Sequence, residues 1–216
     1  MSKAPASGHG ADSPQKESSD LAGQMAERRR TIETLRAEGI NPYDNDAPIT
    51  HQIYELPAQA HEDVLALPGE AEIQADAPRF AIAGRLLQVN DMGKAKFLFL
   101  RGDRGQMVQL YLKADEADAF AVAKRLDLGD FVWARGPLFK TRKEKRALRI
   151  EKGGLRLLSK AIRPLPGKAL QEGDKALDDD WRYRQRYADM IIRPEVADVF
   201  RKRAQIVTGI RSFFDA

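Results

Sequence analysis

The sequence predicts a mainly β fold with helical extensions, centred on a five-stranded barrel. Three observations lead there. Between Arg79 and Leu158, apolar and polar residues alternate in short runs bounded by Gly, Asp and Asn, the period of half-buried strands. These runs come as three strands, an alanine-rich segment and two more strands. On either side the period changes to that of helices, with an apolar stripe from Leu21 to Leu35 and another from Val196 to Phe214.

Each element has a local reason. Residues 1–19 are dominated by Ser, Ala, Gly, Lys and Asp and read as a disordered tail. A helix is expected from about Leu21 to Glu38, with Asp20 as N-cap and Gly39 as stop. Leu21, Met25, Ile32 and Leu35 form its stripe, and the run Arg28, Arg29, Arg30 reads as a solvated face. Pro42, Pro48, Pro57, Pro68 and Pro78 make the rest of 20–78 an irregular, partly helical connector. Strands are then expected at Arg79–Asn90, Lys96–Arg101 and Met107–Lys113, joined at Met92-Gly93-Lys94 and Asp103-Arg104-Gly105. Asp115–Leu126 reads as a helix. Strands at Asp130–Gly136 and Ala147–Leu158 follow, joined by a basic hairpin from Lys140 to Arg146. This order is that of an OB-fold barrel, here spanning 79–160, whose open face binds oligonucleotides. Residues 161–180 read as a polar, acidic linker, and 181–216 begin a further unit. Pro194 starts its long helix, with Val196, Val199, Phe200, Val207, Ile210 and Phe214 as the stripe. Nothing else in the chain offers that stripe a partner, so the sequence reads as truncated.

Composition narrows the classes of function. There is no Cys, which excludes disulfides, thiolate metal sites and cysteine nucleophiles. His9, His51 and His61 have no ligand spacing. The net charge of +4 permits a nucleic-acid partner without requiring one. No apolar run is long enough to span a membrane. The first residues lack the apolar centre of a secretory signal, and Asp12, Glu17 and Asp20 argue against a transit peptide, so a cytoplasmic location is expected. There is no phosphate-cradling Gly-rich loop, acid/base pair or metal motif, so no catalytic residue and no cofactor site is expected within the chain.

Strand alternation sorts the barrel's faces. With Leu98, Leu100, Val108, Leu110 and Leu112 inside, Phe97, Phe99, Gln109 and Tyr111 face outward, and placing Phe80, Ile82 and Leu86 inside puts Arg85 outward too. Such a face suits single-stranded RNA, whose bases stack on aromatic rings and are read by amides and guanidiniums. The same alternation allows Phe97 and Phe99 to pack under the connector or the N-terminal helix. Lys140, Arg142, Lys143, Lys145 and Arg146 could contact phosphates or form a solvated edge hairpin.

Several strings, in order, are similar to the lysyl-tRNA synthetases. Leu35-Arg36-Ala37-Glu38-Gly39-Ile40-Asn41-Pro42-Tyr43 resembles their LR-x-x-G-I-N-P-Y segment. Ala83-Gly84-Arg85, Met92 to Phe97, Gln109-Leu110-Tyr111, Leu126 to Asp130, Phe139-Lys140-Thr141 and Leu157 to Pro166 resemble successive barrel segments. Arg182-Tyr183-Arg184-Gln185-Arg186-Tyr187-Ala188-Asp189-Met190-Ile191 resembles the string that enters their class II α+β catalytic domain. The likeness runs through residues 27–216.

The resemblance implies an anticodon-binding OB domain followed by the start of a class II catalytic domain. It implies tRNA-Lys as partner, a homodimer, and ATP and Mg²⁺ for the complete enzyme. Arg85, Phe97 and Gln109 carry over as anticodon contacts, and Glu144 is the nearest acid to the family's hairpin Glu. Lys143 and Lys145 join them as RNA-contact candidates from the hairpin's charge. Two departures stand out: the hairpin is longer and has no Gly, and the family's H-G-L before Trp181 is missing. Motifs 2 and 3, which hold ATP, lysine and Mg²⁺ in the family, are absent, so these residues alone are expected to be inactive. An aspartate- or asparagine-specific relative, or a stand-alone RNA-binding module, shares much of this pattern.

Overall fold

The computed structural model describes residues 14–165 and 179–215. Its strands are β1 (Arg79–Asp91), β2 (Ala95–Arg101), β3 (Met107–Lys113), β4 (Phe131–Lys140), β5 (Arg146–Arg149) and β6 (Leu155–Ser159). β1 pairs antiparallel with β2, β2 with β3, and β4 with β5, while β3 and β5 run parallel. Pairing of β4 with β1, from Arg79↔Pro137 to Arg85↔Phe131, closes the circuit. β6 lies along the same flank of β4 as β5, so the two are halves of one fifth strand. The result is the five-stranded, OB-like mixed barrel with helical extensions at both ends.

Ala147–Leu158, expected as one strand, is interrupted by Ile150–Gly154. Gly153 takes a φ of +67°, and the Gly154 amide turns back onto the Glu151 carbonyl. The closure itself depends on Gly136: a Cβ there would lie 1.8 Å from the Arg149 carbonyl oxygen, so only glycine lets the two backbones pass.

The core follows from the pleat. Ile82, Leu86, Leu98, Leu100, Leu110, Leu112, Val132 and Leu148 point inward and are fully buried. Burying each such side chain contributes roughly 1.5–3 kcal/mol. Ile53 and Leu56 enter this core from the connector, through a short 3₁₀ turn at Ile53–Glu55. Ala119 and Ala123 enter it from α3 (Ala117–Ala123), which is shorter than the helix expected over Asp115–Leu126.

The N-terminal helix, α1 (Pro14–Ala37), is already helical before Asp20, so Asp20 is not the N-cap expected for it. Gly39, at φ +76°, ends it as expected, and the Ile40 amide reaches back to the Leu35 carbonyl. Arg29 and Arg30 are exposed, but Arg28 is not part of a solvated face. Its position falls in the stripe of Met25, Ile32 and Leu35, so it is carried inward with them. Its guanidinium donates to the Ala161 carbonyl at 2.7 Å and the Leu128 carbonyl at 3.1 Å. Beneath it lies Lys160, with no side-chain exposure, whose Nζ meets Asp127 at 2.7 Å, Asp130 at 2.8 Å and the Arg125 carbonyl at 2.7 Å. This buried network ties the first helix to the barrel's exit.

The connector adds α2 (His61–Leu65) and a 3₁₀ turn at Glu70–Glu72. Trp181–Ile192 folds as parts of two short helices, α4 (Asp179–Arg184) and α5 (Arg186–Ile192), which break at Gln185. α6 (Pro194–Phe214) follows, with Val199, Phe200, Ile206, Val207, Ile210, Phe213 and Phe214 exposed. The tail expected over 1–19 lies outside the described residues up to residue 13, and the expected linker does so over 166–178. No helix among the described residues is long and apolar enough to cross a membrane.

Candidate nucleic-acid interface

The outer face of β1, β2 and β3 is a grid set by strand register. One row runs Asn90, Phe97, Tyr111, Arg149; the next runs Gln88, Phe99, Gln109, Ala147; the third runs Arg85, Arg101, Met107. Successive rows are about 7 Å apart along the strands, two residues of strand rise. Phe97, Phe99, Gln109 and Tyr111 therefore lie together, as alternation predicted.

The connector covers one side of this face and leaves the other open. The Lys140 amide donates to the Pro68 carbonyl at 2.9 Å, Lys140 Nζ donates to the Leu65 carbonyl at 2.7 Å, and Lys113 pairs with Glu70. Under this strap Phe139 is buried, only 2% exposed. Tyr111 stands at the strap's edge, its ring 5.5 Å from Phe139 and 5.0 Å from Phe97. Burial, and then the negative charge of Glu70, raise the Tyr111 pKa above its ordinary value, so the hydroxyl stays a proton donor. Phe97 and Phe99 are half-buried and lie beyond the strap. The Gln109 amide makes no hydrogen bond among the described residues, leaving a donor and an acceptor available on the open surface.

Two polar residues of this face escaped the sequence reading. β1 carries a bulge between Leu86 and Gln88, so Leu87 turns into a buried position and the alternation slips by one. Gln88 and Asn90 thereby face outward beside Phe99 and Phe97, their side chains joined by a 2.9 Å hydrogen bond. The leucine pair Leu86-Leu87, which breaks strict alternation, was the only signal in the sequence.

Arg85 is on the same face but in the third row, and its guanidinium turns away from Phe97 and Gln109. It donates to the Gly129 carbonyl at 2.9 Å and lies 4.2 Å over the Phe131 ring. Burial lowers its pKa, and the charge of Asp130 partly offsets this. The structure thus separates Arg85 from the Phe97–Gln109 pair by the Phe99 row.

The hairpin between β4 and β5 closes without glycine. The Thr141 amide donates to the Lys145 carbonyl, the Glu144 amide to the Thr141 carbonyl, and Glu144 occupies the left-handed region at φ +53°. Its carboxylate lies 3.9 Å from His61 of α2. Two of the five cations are structural: Lys140 holds the strap, and Arg146 donates to the Leu56 and Pro57 carbonyls. Arg142, Lys143 and Lys145 are exposed at the tip. Parallel pairing of Gln109 with Ala147 puts this tip at the end of the face where β3 begins.

Comparison with known proteins then bears on what such a face is for. No family model matches the chain. It is 39% identical over 189 residues to a lysine–tRNA ligase of Cupriavidus metallidurans, covering 87% of this chain and 34% of that protein. It is 41% identical over 194 residues to a lysine–tRNA ligase of Anaeromyxobacter sp. (strain K), covering 89% and 36%. A lysine–tRNA ligase of Burkholderia ambifaria is 38% identical over 193 residues, covering 88% and 35%. The chain is a relative of the lysine–tRNA ligases. Matches of this extent take in the whole barrel and the outer face just described. The chain spans about a third of the length of the lysine–tRNA ligases it matches.

Proposed function

We propose that this chain is the anticodon-binding part of a lysine–tRNA ligase, with residues 79–160 as the binding domain, 161–180 as a linker and 181–216 as the start of a catalytic domain. One observation carries the reading: Phe97, Phe99 and an uncommitted Gln109 amide share an open face of an OB-like barrel in a chain related to lysine–tRNA ligases. Unpaired anticodon bases stack on Phe97 and Phe99, and Gln109, with Gln88 and Asn90 beside it, reads their edges. Lys143 and Lys145 contact phosphates, which carry no sequence information. Glu144 stands on the same exposed hairpin tip, 3.9 Å from His61, and is a further candidate for a base contact.

The whole protein, on this reading, activates lysine with ATP and Mg²⁺ and transfers it to tRNA-Lys as a cytoplasmic homodimer. No step of that chemistry is assigned to these residues. Among the described residues no group of three or more His, Asp or Glu side chains is gathered to hold a metal ion.

The test is a titration of the 216-residue chain against hairpin RNAs that differ only in a UUU or scrambled anticodon loop. Tighter binding of UUU, reduced by Gln109→Ala, is the expected result. Equal affinity for both loops, unchanged by Phe97→Ala, would remove the assignment.

A further inference from the structure

The third row of the outer face holds two arginines side by side. Arg85 on β1 and Arg101 on β2 are direct cross-strand partners, an arrangement in which like charges repel. Both are half-buried, and burial lowers the pKa of each, partly offset by Asp130 for Arg85 and by Glu195 for Arg101. Guanidinium groups nonetheless stay charged near neutral pH. Among the described residues, neither forms an ion pair with a carboxylate. Arg101 donates to the Ile191 carbonyl at 2.7 Å and the Ile192 carbonyl at 3.2 Å, where α5 ends, yet its Nε–H is buried with no acceptor. A buried donor left unmade is costly, and so is an unpaired buried charge.

Between this pair and the α5–α6 junction lies a cavity of about 360 Å³. Gln52, Gly102, Phe131 and Arg201 line it together with the two arginines. Arg201 comes from α6 and is held there by Asp198 and the Asp103 carbonyl. Asp103 also borders the cavity, but its carboxylate pairs with none of the three arginines. Three guanidiniums from three elements thus converge on one concave surface, with an aromatic ring and an amide beside them. Guanidinium forks match the oxygens of phosphate.

We propose that this cavity is an oxyanion site that takes a phosphate group, and that the phosphate is a phosphodiester of the RNA strand crossing the Phe97 and Phe99 rows. The second half of this statement rests on the function proposed above; the first does not. The rows point to it: a strand that stacks on Phe97 and Phe99 and continues in the same direction arrives at Arg85 and Arg101. Arg85, by this inference, serves a phosphate rather than a base.

The test uses the 216-residue chain labelled with ¹⁵N. Sodium phosphate, titrated against sodium chloride at equal ionic strength, is expected to shift the Gly102 and Gly105 amides and the Arg101 Nε–H to saturation, while chloride leaves them in place. Arg85→Gln and Arg201→Ala, tested separately, are expected to weaken that response at least tenfold with the barrel's other signals unmoved. Oligouridylate is expected to shift the same cavity signals together with those of Phe97 and Gln109. One neutral methylphosphonate linkage, moved stepwise along the oligomer, should abolish the cavity shifts at a single position. Saturation by phosphate with no cavity response to RNA that does shift Phe97 would support the oxyanion site and overturn its RNA source. Saturation by phosphate with no RNA response anywhere would leave the site standing and sink the RNA-binding function. Cavity signals unmoved by both ligands would overturn the proposal, whatever happens at Phe97.

Discussion

Phe97 and Tyr111 stand directly opposite each other on β2 and β3, with ring centroids 5.0 Å apart and planes tilted by 33°. Tyr111 in turn leans on Phe139, which the connector buries. The three rings form a graded series, from an open position to a closed one, and their substitutions separate binding from folding. Phe97→Ala should weaken single-stranded RNA by roughly 1–3 kcal/mol with little loss of thermal stability. Phe139→Ala should cost about 3–5 kcal/mol of stability. Denaturant titrations beside RNA titrations check both, and a Phe97→Ala variant as unstable as Phe139→Ala would make Phe97 a core residue.

Gln109→Ala should leave the melting temperature unchanged, because its amide bonds to nothing among the described residues. Preference for uridine over cytidine should fall by about one to three kcal/mol if the amide reads a base edge, by analogy with bidentate base contacts elsewhere. Competition binding with two otherwise identical oligomers measures it.

The hairpin tip makes a different kind of prediction. Lys143→Ala and Lys145→Ala should weaken all RNAs alike, each lowering the slope of log K against log salt by about 0.7. Glu144→Gly should stabilise the fold by up to about 1 kcal/mol, since Glu144 sits at φ +53° where glycine is at ease. Loss of sequence preference in the lysine variants would place a base, not a phosphate, at the tip.

Lys160→Ala should be among the most damaging single changes, at roughly 3–5 kcal/mol, because it strands the fully buried Asp130 carboxylate. Arg28→Ala should release α1 from the Ala161 and Leu128 carbonyls while the barrel stays folded. Hydrogen exchange resolves the two outcomes: global loss of protection in the first, loss confined to α1 and the barrel exit in the second.

Asp189 provides a pH test of the C-terminal segment. Burial pushes its pKa up, but hydrogen bonding to Arg193 and the charges of Arg193, Arg186 and Arg182 win, holding it below the ordinary 3.8. A depressed carboxylate stabilises the folded form at every pH above its unfolded pKa, and that contribution disappears as pH falls through the lower folded value. Protection of α5 should therefore hold from neutrality down to the ordinary carboxylate value of 3.8 and be lost only as pH falls below it. Asp189→Asn should remove this acid transition.

Much of the barrel was readable because strand period and burial are local properties. Leu98, Leu100, Val108, Leu110 and Leu112 declare an inward face by spacing alone, and that assigns Phe97, Phe99, Gln109 and Tyr111 to the outward one. Gly39, Pro194 and the turn glycines mark boundaries because their backbone geometry is intrinsic. The start of α1 and the split of the fifth strand were less legible, since a helix extends wherever propensity allows and a strand breaks where its neighbours require.

What the sequence determined by itself is therefore the pattern: five strands' worth of alternation, two helical stripes, and a set of outward aromatic and amide side chains. Only tertiary structure decided which of those outward residues are open. The connector, distant in sequence from β3 and more so from β4, folds back to bury Phe139 and edge Tyr111, while the bulge at Leu87 brings Gln88 and Asn90 beside Phe99 and Phe97. Pairing of β1 with β2 set Arg85 against Arg101, and the α5–α6 junction enclosed them. Exposure and charge proximity depend on contacts between distant segments, and period along the chain carries no record of them.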